Sequence, residues 1–405
     1  MAPPAFPEPA PAPADATNAA PTPEVATPAV PATRSSRSGA IDALRGIVML
    51  IMLVDHAREH FLSYMPVSDP LTLPGTPPGL FFTRLAAHLC APIFVFLAGV
   101  SAYLYTHPAG RPLRPGSGFL ARRGLFLLLL EVSVVTFAWQ GLYHTLWLQV
   151  IWATGLAMLA LAALIHLPTG PRWAIAALIL LGHNLLSPIE VAPQAPGHGL
   201  WTILHDRGYL IPDGPLRVKV SYPVLPWIGV ILLGYNCGPL FSAGVAQSRR
   251  RRWLLSTGLA SLLLMLVLRA TEFYGEPSAW YRTGAPWQTL ASFLNFTKYP
   301  PSLLFLLLTL GLGAWLLALL EARPGGIARR LAVFGSAPLF FYLLHLYALL
   351  VLHKLAQAWL EAPPLAANVG EIWLISAAVA LLLFGPTCTF ARFKQRKRWP
   401  LLRYL

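Results

Sequence analysis

The chain has 405 residues, of which 56% are hydrophobic and only 11% charged, whereas a soluble domain carries about 25% charged residues. An ordinary soluble fold is excluded, because it would lack polar surface. The formal charge of +14 does not point to nucleic acid, which needs a basic face on a folded soluble domain; here the positive residues lie in short stretches between apolar runs.

The first 33 residues are dominated by Pro and Ala. They have little apolar surface to bury, so a disordered cytoplasmic tail is expected over 1–37. It lacks a basic region leading directly into an apolar one, so no cleaved signal peptide is expected. Apolar segments then recur at roughly 39–60, 81–106, 118–139, 146–166, 173–189, 221–243, 253–271, 301–321, 331–353 and 371–391. These lengths predict an all-α polytopic membrane bundle of about ten transmembrane helices over 38–391. Pro92, Pro226 and Pro338 fall inside these segments and are expected to kink them. A basic cytoplasmic tail follows at 392–405.

Alternate connections differ sharply in charge, with twenty Lys and Arg on one side and eight on the other. The rule that positive residues stay inside then places both termini in the cytoplasm, in keeping with an even helix count. The run Arg249 to Arg252 reads as a topology and anionic-lipid signal. Two outward connections, at about 190–220 and 272–300, carry Trp201, His205, Tyr209, Tyr281 and Trp287, either as a cover over a site or as interfacial anchors. Cys90, Cys237 and Cys388 show no metal-ligand or CxxC spacing and read as small packing residues.

Ionisable groups within a span are costly, so they face the bundle interior and have a partner or a task. Asp42 and Arg45 stand three residues apart and can pair across one turn. His56 follows Arg45 by eleven residues, close to three turns, so it projects from the same face about 16 Å further along. Asp42 and Arg45 thus belong to the cytoplasmic half of the first helix, and Asp55 and His56 to the outer end. Arg84 and His88 share a face of the second helix at i, i+4, and His345 reaches a similar outer depth on the ninth. Asn295, Lys298 and Tyr299 precede the eighth helix at its outer end, and Glu131 is an intramembrane acid that could serve as counter-ion to Arg84 or Arg123. A neutral imidazole suits acyl transfer because it can take a proton from a hydroxyl or amine, or attack an acyl group itself. The plainer reading of such a histidine is an interhelical hydrogen bond. No zinc cluster, GxSxG elbow, P-loop or Rossmann fingerprint is present at convincing spacing, so no metal is expected and an acyl donor must bring its own activated bond.

The run Ala40-Ile-Asp42-Ala-Leu-Arg45-Gly46-Ile through Val54-Asp55-His56-Ala-Arg58 resembles the opening of the bacterial heparan-α-glucosaminide N-acetyltransferase-like family. Further runs agree in the same order: His88-Leu-Cys-Ala-Pro92-Ile-Phe-Val-Phe-Leu-Ala-Gly99, Tyr222-Pro-Val-Leu-Pro226-Trp227 with Gly234-Tyr235, and Lys298-Tyr299-Pro300-Pro301-Ser302 followed by Pro338-Leu-Phe-Phe-Tyr342-Leu-Leu-His345. The resemblance covers about residues 38–390. It implies transfer of an acetyl group from cytoplasmic acetyl-CoA, as co-substrate, to a sugar or glycan across a bacterial inner membrane. The chain also looks like the wider group of membrane O-acetyltransferases, whose first helix carries an Arg-Gly and then a histidine, here Arg45 and His56. In animal lysosomal members the catalytic histidine follows the first helix, and His60 is a weak counterpart.

The expected roles follow. His56 is general base or transient acyl carrier, with Asp55 orienting it. Arg45 and Asp42 serve the CoA side, and Arg84, His88, Asn295, Lys298, Tyr299 and His345 hold the acceptor or the developing oxyanion. Expected partners are the bilayer and the acceptor, not nucleic acid, with a homo-oligomer left open. The alternative is a transporter or lipid-handling protein that uses the same buried charges as a substrate or proton path.

Overall fold

The computed structural model describes residues 36–62, 68–73, 75–359 and 366–396, with 399, 402 and 404. The expected tail at 1–37 falls almost wholly outside them. The first helix, α1 (Ser36–Phe61), is followed by α2 (Pro78–Ala87) and α3 (Cys90–Thr106), which a turn at His88 and Leu89 separates. Next comes α4 (Ser117–Leu130), which continues through a π-helical turn at Glu131–Val135 into α5 (Thr136–Gln140). Then follow β1 (Thr145–Leu148), α6 (Val150–Leu164), α7 (Thr169–Gly182) and α8 (His198–Leu204), with β2 (Gly208–Ile211), β3 (Arg217–Val220) and α9 (Leu225–Cys237). The chain ends with α10 (Gln247–Thr271), α11 (Pro286–Leu294), α12 (Leu303–Ala322), α13 (Gly326–Ser336), α14 (Pro338–Trp359) and α15 (Val369–Arg396).

Helices dominate, as expected of a membrane bundle. Among the described residues, five helical stretches are long and apolar enough to cross a membrane: Pro78–Thr106, Gln247–Thr271, Leu303–Ala322, Pro338–Trp359 and Val369–Arg396. The shorter apolar stretches Val150–Leu164 and Leu225–Phe241 coincide with two more expected segments. The prolines act at boundaries rather than as kinks. Pro338 opens α14, Pro226 lies in the first turn of α9 and Pro92 in that of α3, where a missing N–H leaves no intrahelical bond unmade. The segment expected at 331–353 is accordingly two helices, and the one expected at 146–166 starts at Val150 because the residues before it form a strand. Of the expected basic tail, residues 392–396 continue α15.

α1 is the axis of the bundle, packed against α2, α3, α12, α13, α14 and α15. Small residues allow these approaches, as membrane helices require in the absence of a hydrophobic drive between them. A Cβ on Gly46 would collide with the Leu331 carbonyl of α13, and one on Gly335 with the Asp42 carbonyl of α1. Gly99 of α3 and Gly234 of α9 meet in the same reciprocal way, through the Ile231 and Phe96 carbonyls.

The three strands were not anticipated. They form one small sheet in the order β1-β3-β2, with β1 parallel and β2 antiparallel to β3. The expected loop at 190–220 therefore holds structure. Its Lys219 ammonium stands over the Trp147 and Tyr209 rings at 5.3 and 4.7 Å.

Candidate functional site

At the C-terminal end of α1 the helix face repeats every fourth residue, which brings His56 and His60 one turn above one another. His60 Nδ1 donates to the His56 carbonyl oxygen at 2.9 Å. A carbonyl only accepts, so the proton sits on Nδ1 and the Nε2 lone pair of the neutral ring is left over. That Nε2 is buried and has no hydrogen-bond partner among the described residues. The ring stacks on Trp139 at 5.7 Å, with the His353 ring of α14 at 5.9 Å.

His56 has a different partner. Its Nδ1 lies 2.8 Å from His345 Nε2, and His345 Nδ1 lies 2.8 Å from the Phe341 carbonyl oxygen. With both rings neutral, only one arrangement satisfies this chain: His345 donates to the carbonyl, His56 donates to His345, and His56 keeps a free Nε2 lone pair. Trp139 and Tyr342 wall the His56 ring at 4.8 and 5.9 Å. The structure thus brings together two of the three expected histidines. His88 stands apart, 1% exposed against the Phe305 ring at 5.1 Å, with neither nitrogen hydrogen-bonded among the described residues.

Asp55 does not reach His56 by a hydrogen bond. Its two oxygens are taken by Arg58 at 3.1 Å and by Arg84 of α2 at 2.6 Å, and Arg58 also binds Glu59 at 3.0 Å. Two guanidiniums offer charge-assisted bonds that a neutral imidazole cannot match, so the carboxylate ties α1 to α2 and leaves His56 to be oriented by His345. Glu131 likewise meets neither arginine expected for it. It is fully buried and accepts the Trp152 backbone N–H at 3.0 Å, at the start of α6.

Of these groups, Arg58, Glu59, His60, Arg84, Trp139 and His353 border a cavity of about 590 Å³ near the end of α1, which His56, His345 and Asp55 do not line; its size is typical of small-molecule sites. His60, Arg84, Trp139, Trp147, Tyr222 and Tyr299 are among its lining residues. Aromatic rings with polar edges are mixed there with four cations, Arg58, Arg84, Arg207 and Lys354, and two acids, Glu59 and Asp69. Tyr299 donates to the Tyr222 hydroxyl at 3.2 Å, and the Arg207 guanidinium lies over the Tyr299 ring at 4.7 Å. The Lys298 backbone N–H donates to Asp69 at 3.1 Å, while its ammonium lies 5.1 Å from the Tyr299 ring centre. Burial in this loop raises the Asp69 carboxyl above its ordinary range.

Asn295 uses its side chain elsewhere, clasping Leu71 through both backbone groups at 3.0 and 2.8 Å. It holds the 68–73 segment against the 295–302 turn. Two further residues brace that turn. Arg269 donates to the carbonyls of Phe293, Ser278, Ser292 and Asn295. Glu276 accepts from Thr297 and from Ser302, the latter at 2.6 Å, and burial raises its carboxyl as well. Lys298 and Tyr299 therefore sit on a fixed platform.

At the other end of α1, Arg45 pairs with Asp42 at 3.2 Å, as its spacing predicts. Its guanidinium also donates to the Leu97 carbonyl at 3.3 Å and to the Ser101 hydroxyl of α3. Among the described residues no group of three or more His, Cys, Asp or Glu side chains is arranged to hold a metal ion. His60, His353, Asp69, Trp139 and Tyr222 are the site residues that sequence reasoning passed over or gave little weight. The i, i+4 spacing of His56 and His60 was the signal that could have found the first of them.

The model of a family described as heparan-alpha-glucosaminide N-acetyltransferase, catalytic, matches residues 37–275. The match runs from the start of α1 to just past α10 and includes His56, His60, Arg84 and Tyr222. No curated protein matches the chain.

Proposed function

The chain belongs to the heparan-alpha-glucosaminide N-acetyltransferase catalytic family, and from that membership we propose that it moves an acetyl group from cytoplasmic acetyl-CoA to a sugar or glycan on the far side of a bacterial cytoplasmic membrane. The observation that carries this reading is the pair of imidazole lone pairs one turn apart on α1, that of His60 on the cavity wall and that of His56 one turn below it, each with its tautomer fixed by the hydrogen bond at the other nitrogen.

In this mechanism His56 is the acyl carrier and His60 the base. The His56 Nε2 lone pair attacks the thioester carbonyl, the N-acetyl bond forms as the C–S bond breaks, and CoA leaves as the thiolate, which takes its proton from water on the donor side. His345 holds His56 in the required tautomer and takes a share of the developing imidazolium charge. An acceptor hydroxyl or amine in the cavity then attacks the acetyl carbon while His60 Nε2 accepts its proton, and the acetyl–imidazole bond breaks. Arg84 and Lys298 place positive charge near the oxyanion, Tyr299 offers the acceptor a ring face, and Asp55 fixes Arg58 and Arg84 in position. His88 supplies a buried hydrogen-bonding group behind them, and Asn295 sets the turn that carries Lys298. Arg45 and Asp42 serve the donor side.

The test uses purified protein given radiolabelled acetyl-CoA without acceptor, then a panel of amino sugars and glycans. Wild type and His60→Ala should retain label on the protein, and His60→Ala should discharge it slowly. His56→Ala should take up none. An unchanged transfer rate in His56→Ala would remove this mechanism.

A further inference from the structure

A second cavity, of about 210 Å³, lies in the half of the bundle that holds Asp42 and Arg45. Its wall comes from α1, α3, α9, α10 and α12 and is mostly aliphatic and aromatic, including Leu44, Phe96, Leu233, Trp253, Leu310 and Leu317. The Thr257 hydroxyl in the wall is turned back onto its own helix, donating to the Trp253 carbonyl at 2.8 Å. The cavity thus offers little to a polar ligand. An apolar gap of this kind leaves the surrounding side chains without contacts that a hydrocarbon chain would supply.

The helix in front of the gap faces lipid. Leu255, Leu259, Leu263, Leu266 and Val267 of α10 are each more than 40% exposed, which in a membrane-crossing helix is contact with acyl chains. Trp253 both lines the gap and is 43% exposed, so it stands at the mouth. Immediately before it come four arginines with two fates. Arg250 is buried, its Nε 2.6 Å from the Glu321 carboxylate. Arg249, Arg251 and Arg252 are exposed. Three exposed guanidiniums therefore precede the apolar gap directly along the same helix.

We propose that this gap seats one acyl chain of an anionic phospholipid whose phosphate lies on Arg249, Arg251 and Arg252. The α10 residues that line the gap run from Trp253 through Thr257 to Ser261, so its lining on this helix begins one residue after Arg252 and continues in the direction a lipid tail takes below its headgroup. Each arginine near an anionic headgroup adds about fivefold in affinity, so the headgroup sets preference while the gap sets retention. The site is separate from the histidine layer and its readout involves no acetyl transfer, so it stands or falls independently of the proposed activity.

Native mass spectrometry tests it on the full chain, purified from detergent that contains equal amounts of phosphatidylglycerol and phosphatidylcholine with matched chains. The expected result is one retained lipid per chain, with phosphatidylglycerol favoured by at least about fivefold. Thr257→Phe and Ser261→Leu, each filling the gap from α10, should lose the retained lipid without a large change in melting temperature. Two such variants guard against one that fails to fold. Arg249, Arg251 and Arg252 changed together to Gln should keep a lipid but lose the preference. Wild type that retains no lipid, filled variants that retain it as wild type does, or displacement of the lipid by millimolar inorganic phosphate or CoA would each overturn the proposal.

Discussion

Both ends of α1 carry an acid and an arginine three residues apart, and the two pairs have nearly the same geometry, 3.2 Å for Asp42–Arg45 and 3.1 Å for Asp55–Arg58. What surrounds them differs. Arg45 finishes its hydrogen bonding on Leu97 and Ser101 of α3 and remains partly exposed. Asp55 is shared with a second buried arginine from α2, and Arg58 with Glu59, beside two imidazoles that each keep a lone pair and a cavity lined with aromatic rings. The same local motif is a helix-to-helix tie at one end and the frame of a candidate active site at the other. The tertiary neighbours decide which.

Substitutions can break or sharpen that contrast. The largest effect on stability is expected from Asp55→Ala, which takes from the buried Arg84 its carboxylate partner and leaves Arg58 with Glu59 alone; a loss of about 3–5 kcal/mol should appear as a strongly lowered melting temperature in detergent. Arg45→Ala removes hydrogen bonds from a charged group and should cost about 2 kcal/mol. In transfer assays it should also raise the KM for the donor more than that for the acceptor. Asp42→Ala should cost about 1 kcal/mol or less, because its arginine keeps other acceptors. If Asp42→Ala and Asp55→Ala destabilise equally, the contrast between the two ends is lost.

The smallest expected effect is a pH dependence. Burial raises the Asp69 and Glu276 carboxyls in the folded protein, so over the pH range between their unfolded and folded values the native state holds more protons than the unfolded one. Stability then falls as pH rises through that range. Asp69→Asn can still accept from the Lys298 backbone N–H, and it should flatten the slope seen in melting temperatures measured against pH. An unchanged slope would assign it to Glu276 or to other groups.

Much of this is legible in the sequence alone. The membrane bundle follows from runs of apolar residues of spanning length, because lipid forces the backbone to satisfy itself within each segment. The Asp42–Arg45 pair follows from helical spacing alone. Rotation and tilt do not, since no periodicity within α1 says which neighbour α14 presents to it. The His56–His345 contact was expected only as a shared depth, and Asp55 was given to His56 because nothing in its own helix reveals Arg84 arriving from α2. The strands at 145–148, 208–211 and 217–220 are too short for a period-two pattern to stand out against apolar surroundings. His60 lies at the last turn of a helix, where a boundary uncertain by a few residues moves a side chain from a cavity wall into a loop.

The most direct test of the central claim is acetyl transfer resolved by side. In proteoliposomes with acetyl-CoA supplied on one face only and an amino sugar trapped on the other, wild type should acetylate the trapped sugar. His60→Ala should lower that rate by about 10²–10⁴-fold, the range for a lost general base, with its melting temperature preserved. Acetylation at the wild-type rate by His60→Ala, or transfer only when donor and acceptor share a face, would contradict the account.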